Sequence, residues 1–187
     1  YDERDDVLKE IPFRVITTVG PAGSINSCVD DMAKWVALHL ARGKAGDRQI
    51  IGPSTIDDLH NPQMVMGGSS ERPDISPSSY GMGWMVYTYR GHLMVEHGGN
   101  IDGFSALVML LPKDDLGLVI LTNRNGTPLP ALLARHAVDR LLKLEPVDWN
   151  ADALAKQSLG KEAQKEAKTR KNTVRKMGTR PAHSPTR

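Results

Sequence analysis

The chain has 187 residues, 40% of them apolar, 25% charged and 5% aromatic, with a formal net charge of +2. That length suits a packed domain, and no apolar run approaches the ~20 residues that span a bilayer. A single cysteine, Cys28, excludes an intramolecular disulfide and a thiolate zinc site. Residues 1–150 hold 14 Lys and Arg against 19 Asp and Glu, a net of −5, whereas residues 151–187 hold 10 against 3, a net of +7. All nine aromatics lie at or before Trp149, and the large aliphatics of the tail are only Leu154, Leu159, Val174 and Met177. So little apolar area cannot offset the entropy of ordering a separate core. The core is therefore expected within residues 1–145, with residues 146–187 a basic linker or tail, partly helical or disordered, leading to a further domain. Tyr1 is followed by Asp2, Glu3, Asp5 and Asp6, which is neither a signal peptide nor an initiation site, so an upstream portion is expected.

In chain order, Ser27 to about Arg42 reads as a helix. Ser27 with Asp30 resembles a capping box, Met32, Trp35, Val36 and Leu40 recur at helical spacing, and Gly43 is a suitable stop. A shorter helix follows Ser54 through Ile56 and Leu59 until Asn61-Pro62. Residues 66–79, rich in Gly, Ser and Pro, read as a loop. Strand-like runs at Trp84–Tyr89 and Leu93–His97, joined by Arg90-Gly91, predict a hairpin. Phe104–Leu111 and Leu116–Thr122 are nearly continuous in apolar residues, as strands covered on both faces are. Pro130 opens a last helix whose expected stripe is Leu133, Ala137, Leu141 and Leu144. Two helices, four meandering antiparallel strands and a helix make an α+β fold, a sheet with helices laid on it.

Six histidines invite a metal reading that spacing opposes. His92 and His97 are five apart on one strand and so face opposite sides, and no paired motif stands near a third ligand. Gly98-Gly99-Asn100-Ile101-Asp102-Gly103 lacks the spacing of a dinucleotide loop and no helix follows it, so no cofactor is expected. The segment Glu96–Phe104 has two readings. One is a glycine turn between strands with an incidental histidine. The other comes from its setting, after Pro21-Ala22-Gly23-Ser24, the Ser27–Trp35 helix and Tyr80-Gly81-Met82-Gly83-Trp84, and before Leu121-Thr122-Asn123.

Those segments, in that order, resemble the C-terminal half of the serine β-lactamase-related hydrolase family. Its members are class C β-lactamases, D-aminopeptidases, related esterases and penicillin-binding proteins. The resemblance covers residues 15–145 and implies a β-lactamase/transpeptidase-like sandwich with the site beside one strand. The family uses a Ser-x-x-Lys nucleophile, a Tyr-x-Asn-like motif, and a Lys-Thr-Gly or His-x-Gly motif on that strand. His97-Gly98-Gly99 looks like the third. By the resemblance, His97 donates a hydrogen bond into the proton-transfer network and toward the substrate. Gly99 lets the backbone come close to the acyl group, and the N–H of Asn100 is a donor of the oxyanion hole.

No Tyr-x-Asn occurs in this chain. The one formal Ser-x-x-Lys, Ser158-Leu159-Gly160-Lys161, lies downstream of His97 with a glycine inside the expected helical turn, and is read as a chance match. The expectation is one wall of an acyl hydrolase site, for a small-molecule ester, D-amino-acid amide or β-lactam, with the nucleophile on a missing N-terminal half. The rivals are a non-catalytic relative that keeps the fold and a module binding polyanions through its basic tail. That tail lacks aromatics for base stacking, so nucleic acid is not an expected partner. Its Glu162–Lys168 stretch and Gly178-Thr179-Arg180-Pro181 resemble, instead, a linker ahead of a small β-barrel domain, with Glu166 and Arg170 at helical i,i+4 spacing.

Overall fold

A computed structural model describes residues 1–4, 7–67 and 72–176. In chain order the elements are β1 (Asp2–Arg4), β2 (Val7–Lys9), a 3-10 turn (Thr17–Val19), α1 (Gly20–Gly23) and α2 (Val29–Leu40). Then come β3 (Lys44–Ala45), β4 (Arg48–Gln49), α3 (Pro53–His60), β5 (Met64–Val65), β6 (Ser79–Tyr80) and β7 (Met85–Tyr89). The chain continues through β8 (His92–Ile101), β9 (Phe104–Leu111), β10 (Leu116–Thr122), α4 (Leu129–Leu141) and α5 (Trp149–Lys176). Six strands form one antiparallel sheet in the order β10-β9-β8-β7-β6-β5, and β1–β2 and β3–β4 are separate two-stranded pairs.

The expected four-strand meander is present, and its alternation sorts the core into two layers. Tyr87, Tyr89, Met94, Leu107, Met109 and Leu111 face α4, where Ala134 and Val138 pack on them. Val86, Val95 and Leu110 face the other way, against Val36 of α2 and Trp84. β9 is covered on both faces as expected, while β10, at the sheet edge, is only half-buried along most of its length. Gly117 of β10 lies under α2, and a Cβ there would stand 2.2 Å from a Val36 methyl carbon, so the helix sits as low as it does because that position carries no side chain.

Several local expectations are corrected. α2 is capped at Cys28, with no side-chain capping bond, and the Ser27 hydroxyl is turned onto the Cys28 carbonyl rather than into a capping box. On α4 the buried stripe is Pro130, Ala134 and Val138, while Leu133 and Leu141 are exposed. The helix is rotated by one position because Asp139 is drawn inward: it accepts hydrogen bonds from the Tyr89 hydroxyl at 2.6 Å and the Trp149 indole at 2.7 Å, and Arg90 lies 3.0 Å away. Small residues then take the places nearest the sheet. Within the 66–79 segment, Ser79 belongs to β6 and Ile75 is buried in a bridge to Tyr89, while residues 68–71 lie outside the described ones.

The core ends at Trp149, the first residue of α5, with the guanidinium carbons of Arg72 and Arg135 each 5.2 Å from its ring centroid. Beyond it α5 leaves Leu154 and Leu159 exposed. The Gly178–Pro181 segment falls outside the described residues, as does the side chain of Arg170. Among the described residues no helix is long and apolar enough to cross a membrane.

Candidate active site

β8 outruns its neighbour. Arg90-Gly91, at φ 52° and 90°, closes a two-residue hairpin that pairs Tyr89 with His92 and, at its far end, Met85 with Glu96. β8 continues beside β9 to Ile101, where Asp102-Gly103, at φ 45° and 90°, closes a second hairpin. Both turns have the left-handed pair of residues that matches the twist of antiparallel strands. From His97 to Ile101, β8 therefore has β9 on one side and, among the described residues, no strand on the other.

The register decides which backbone groups look out. The pair closing a two-residue hairpin exchanges hydrogen bonds, and bonded and non-bonded pairs then alternate. Ile101 with Phe104 is such a closing pair, so Gly99 and His97 bond to β9. Gly98 and Asn100 fall at the non-bonded pairs, and their N–H groups aim at the open edge. Residues 97–100 are all exposed, and a Cβ built on Gly99 meets nothing within 4 Å. The glycine pair is thus strand, not turn; the turn comes at Asp102-Gly103. Asn100 is fixed from behind, its side-chain oxygen accepting from the buried Ser105 hydroxyl at 2.5 Å and from the Gly126 N–H at 3.2 Å.

His97 shares a face of β8 with Val95, the α2 side, whereas His92 shares the α4 side with Met94. His92 bonds to Asp114 at 2.9 Å. His97 Nδ1 lies 2.8 Å from the Gly98 carbonyl oxygen and Nε2 lies 3.0 Å from the Tyr80 hydroxyl. The structure thus brings His97, Gly99 and Asn100 together on the open edge of β8. Ser158 is elsewhere, on exposed α5, its hydroxyl donating to the Ala155 carbonyl.

Tyr80 is the neighbour that sequence reasoning missed, and the register held the signal. Arg90-Gly91 as a two-residue loop sets Met85 opposite Glu96, and the tight return through Gly81 to Trp84 sets Tyr80 opposite Met85. Tyr80 is thereby one row from His97. A second missed pair joins the buried His39 to the half-buried His60 beside Trp84, where His39 Nδ1 lies 2.9 Å from His60 Nε2. Burial, with the neighbouring His60 charge, pushes His39 down to about 4, and burial also lowers His60. Among the described residues no group of three or more His, Cys, Asp or Glu could hold a metal. An apolar cavity of 490 Å³ lies away from this edge, between α4 and the 146–150 segment, and includes Leu132, His136 and Trp149 in its lining.

The family model described as Beta-lactamase matches residues 1–143. Unguisins hydrolase ungD' of Aspergillus campestris is 29% identical over 147 residues, covering 75% of this chain and 26% of that protein. Protein flp of Staphylococcus aureus is 36% identical over 113 residues, covering 60% of this chain and 20% of that protein. The octameric penicillin-binding protein homologue from Pyrococcus abyssi superposes with a TM-score of 0.55 at 24% identity, over 64% of this chain and 25% of its own. The chain thus spans about a quarter of the length of the curated relatives it matches first, 26% and 23%.

Proposed function

The chain belongs to the beta-lactamase family, which points to serine-hydrolase chemistry, and on that premise we propose that residues 1–145 form one wall of an acyl-transfer site. The reaction is hydrolysis through an acyl-enzyme, on an ester, a D-amino-acid amide or a β-lactam. A serine hydroxyl from a Ser-x-x-Lys segment outside this chain attacks the acyl carbon. The bond from the acyl carbon to the alcohol or amine breaks and that group takes up the proton the serine gave up, departing from an ester or amide and staying tethered in an opened β-lactam, and water then cleaves the serine ester. Residues 146–187 serve as the linker that follows.

In this reading the Asn100 N–H, aimed from the open edge, donates to the developing oxyanion. Gly99 admits the acyl group to the backbone, because a side chain there would occupy the space the substrate needs. His97 stands beside the reacting groups as a polar contact in the proton-transfer network. The observation that carries the proposal is the stretch of β8 from His97 to Ile101, paired to β9 on one side and open among the described residues on the other, with outward N–H groups and open space over Gly99.

Two measurements test it. Residues 1–187 purified alone are expected to hydrolyse neither chromogenic esters nor β-lactams, and labelling of Ser158 by a fluorophosphonate would overturn the assignment of the nucleophile. In a protein that joins a Ser-x-x-Lys half to this chain, His97→Ala is expected to lower kcat by ~10²-fold or more, the usual scale for a lost proton-transfer contact. His92→Ala, on the opposite face of the strand, is expected to leave kcat unchanged. Equal small losses from both would remove His97 from the site.

A further inference from the structure

Both ring nitrogens of His97 are already engaged, and their partners are not equivalent. A carbonyl oxygen only accepts, so the contact of 2.8 Å to Gly98 requires a hydrogen on Nδ1. A neutral imidazole carries one N–H, which leaves Nε2 as a lone pair. The Tyr80 hydroxyl, 3.0 Å from Nε2, must then donate to it. The two rings meet edge to face, with centroids 5.9 Å apart and planes at 67°. For the neutral ring, one proton assignment therefore satisfies the whole chain of contacts, from the Gly98 carbonyl through the imidazole to the Tyr80 oxygen.

Resting on the active-site reading above, we propose that Tyr80 is a positioning residue for His97. It holds the neutral imidazole as the Nδ1–H tautomer, so that the Tyr80 oxygen stands as a hydrogen-bond acceptor beside the outward N–H groups of Gly98 and Asn100. The neutral His97 has no N–H left to offer, in contrast to the donor role that its family motif implies. What remains free is the Tyr80 oxygen, which keeps its lone pairs once its proton is spent on Nε2. The guanidinium groups bonded around the β8–β9 turn are also committed, Arg14 to Asp102 and Arg124 to Glu3. A substrate amide N–H or hydroxyl placed beside His97 would find the Tyr80 oxygen as its partner, while the outward N–H groups of Gly98 and Asn100 remain for the acyl oxygen. The substrate class that fits is an ester or amide with a hydrogen-bond donor beside the acyl group.

The tautomer is testable on the intact chain with no catalysis. With ¹⁵N-labelled histidine, long-range ¹H–¹⁵N correlation spectra separate a protonated from an unprotonated ring nitrogen. At a pH where His97 is neutral, it is expected to show a single species, protonated at Nδ1 and unprotonated at Nε2. Tyr80→Phe keeps the ring and removes the hydroxyl. It frees the Nε2 edge to water, which donates or accepts equally well, and His97 is expected to become a mixture of both tautomers while resonances remote from β6 and β8 stay in place. An Nε2–H signal in the parent chain, or a Tyr80→Phe spectrum unchanged at His97, would overturn the proposal. In the joined hydrolase, an ester with an N–H or hydroxyl beside its acyl group is expected to be preferred over the analogue lacking that donor, and Tyr80→Phe to narrow that preference. An active enzyme that prefers the analogue without the donor would refute the substrate class alone. An enzyme with a mixed preference but the expected spectrum would do the same, and loss of the His97→Ala effect would refute the site reading instead.

Discussion

At the scale of single residues, two buried polar groups dominate the expected energetics. Asp139 collects the Tyr89 hydroxyl, the Trp149 indole and the Arg90 guanidinium on one carboxylate. Asp139→Ala would leave the buried Tyr89 and Trp149 donors without their acceptor and the Arg90 guanidinium with Asp74 at 3.5 Å, so a loss of about 3–5 kcal/mol in urea unfolding is expected. The same carboxylate keeps both tyrosine and tryptophan donors satisfied, and burial with the Asp139 charge raises the Tyr89 hydroxyl well above the usual phenol range. His39 works in the opposite sense. Its ring is 1% exposed, and burial holds its folded value near 4, so above pH 6.5 both folded and unfolded states are neutral and no stability is lost there. As the pH falls from 6.5 toward 4, the unfolded chain takes up a proton that the folded chain refuses, and stability drops by roughly 3 kcal/mol at ~1.4 kcal/mol per unit. His39→Gln is expected to flatten that part of the stability curve relative to the parent. Parallel curves for the two proteins between pH 7 and 4 would show that the pair does not govern acid sensitivity.

At the scale of elements, β7, β9 and β10 were legible from their apolar runs, with Arg90-Gly91 marking the first hairpin, whereas the extension of β8 from Gly98 to Ile101 was not, because paired glycines read as a turn and the turn itself lies at Asp102-Gly103. α4 was legible as a helix but not in its rotation. An apolar stripe of leucines looks like a core face, yet a buried carboxylate one step round the helix has stronger claims on the interior once Tyr89, Arg90 and Trp149 surround it. The site shows the same division. His97, Gly99 and Asn100 were readable from a motif on one strand, whereas Tyr80 belongs to a different strand and emerges only when registers are chained across β7. Packing of α2 supplies the test at this scale. Gly117→Ala puts a methyl group where a Val36 methyl already stands, 2.2 Å from its carbon, and overpacking of this kind costs ~1–3 kcal/mol. Val36→Ala in the same chain should recover part of that loss, because it vacates the contested space. If the double variant is as unstable as the sum of the singles, the helix is not held at that height by Gly117.

At the scale of the whole molecule, the described core reaches Trp149, packed against Tyr89 with the Arg72 and Arg135 guanidinium groups over its ring, while Leu154 and Leu159 of α5 are exposed. Ending the chain at Gly160 is expected to change unfolding free energy by less than ~0.5 kcal/mol, the usual range for exposed positions. Trp149→Ala should cost about 3–5 kcal/mol, as large aromatic truncations do. The contrast between these two chains, measured by denaturant midpoint, checks where the folded unit stops.

The meander has a kinetic side as well. β7, β8, β9 and β10 follow one another in sequence and pair with their immediate successors. The turns between them are a few residues long, so each new strand closes a short loop, and chains with such local topology cross their folding barrier quickly. The edge that carries His97 and Asn100 then forms along with its own two hairpins, ahead of any docking by α2 from the other end of the chain. Mutations in the Asp102-Gly103 turn should slow refolding in stopped-flow traces. Those in the α2 contact, such as Val36→Ala, should chiefly hasten unfolding.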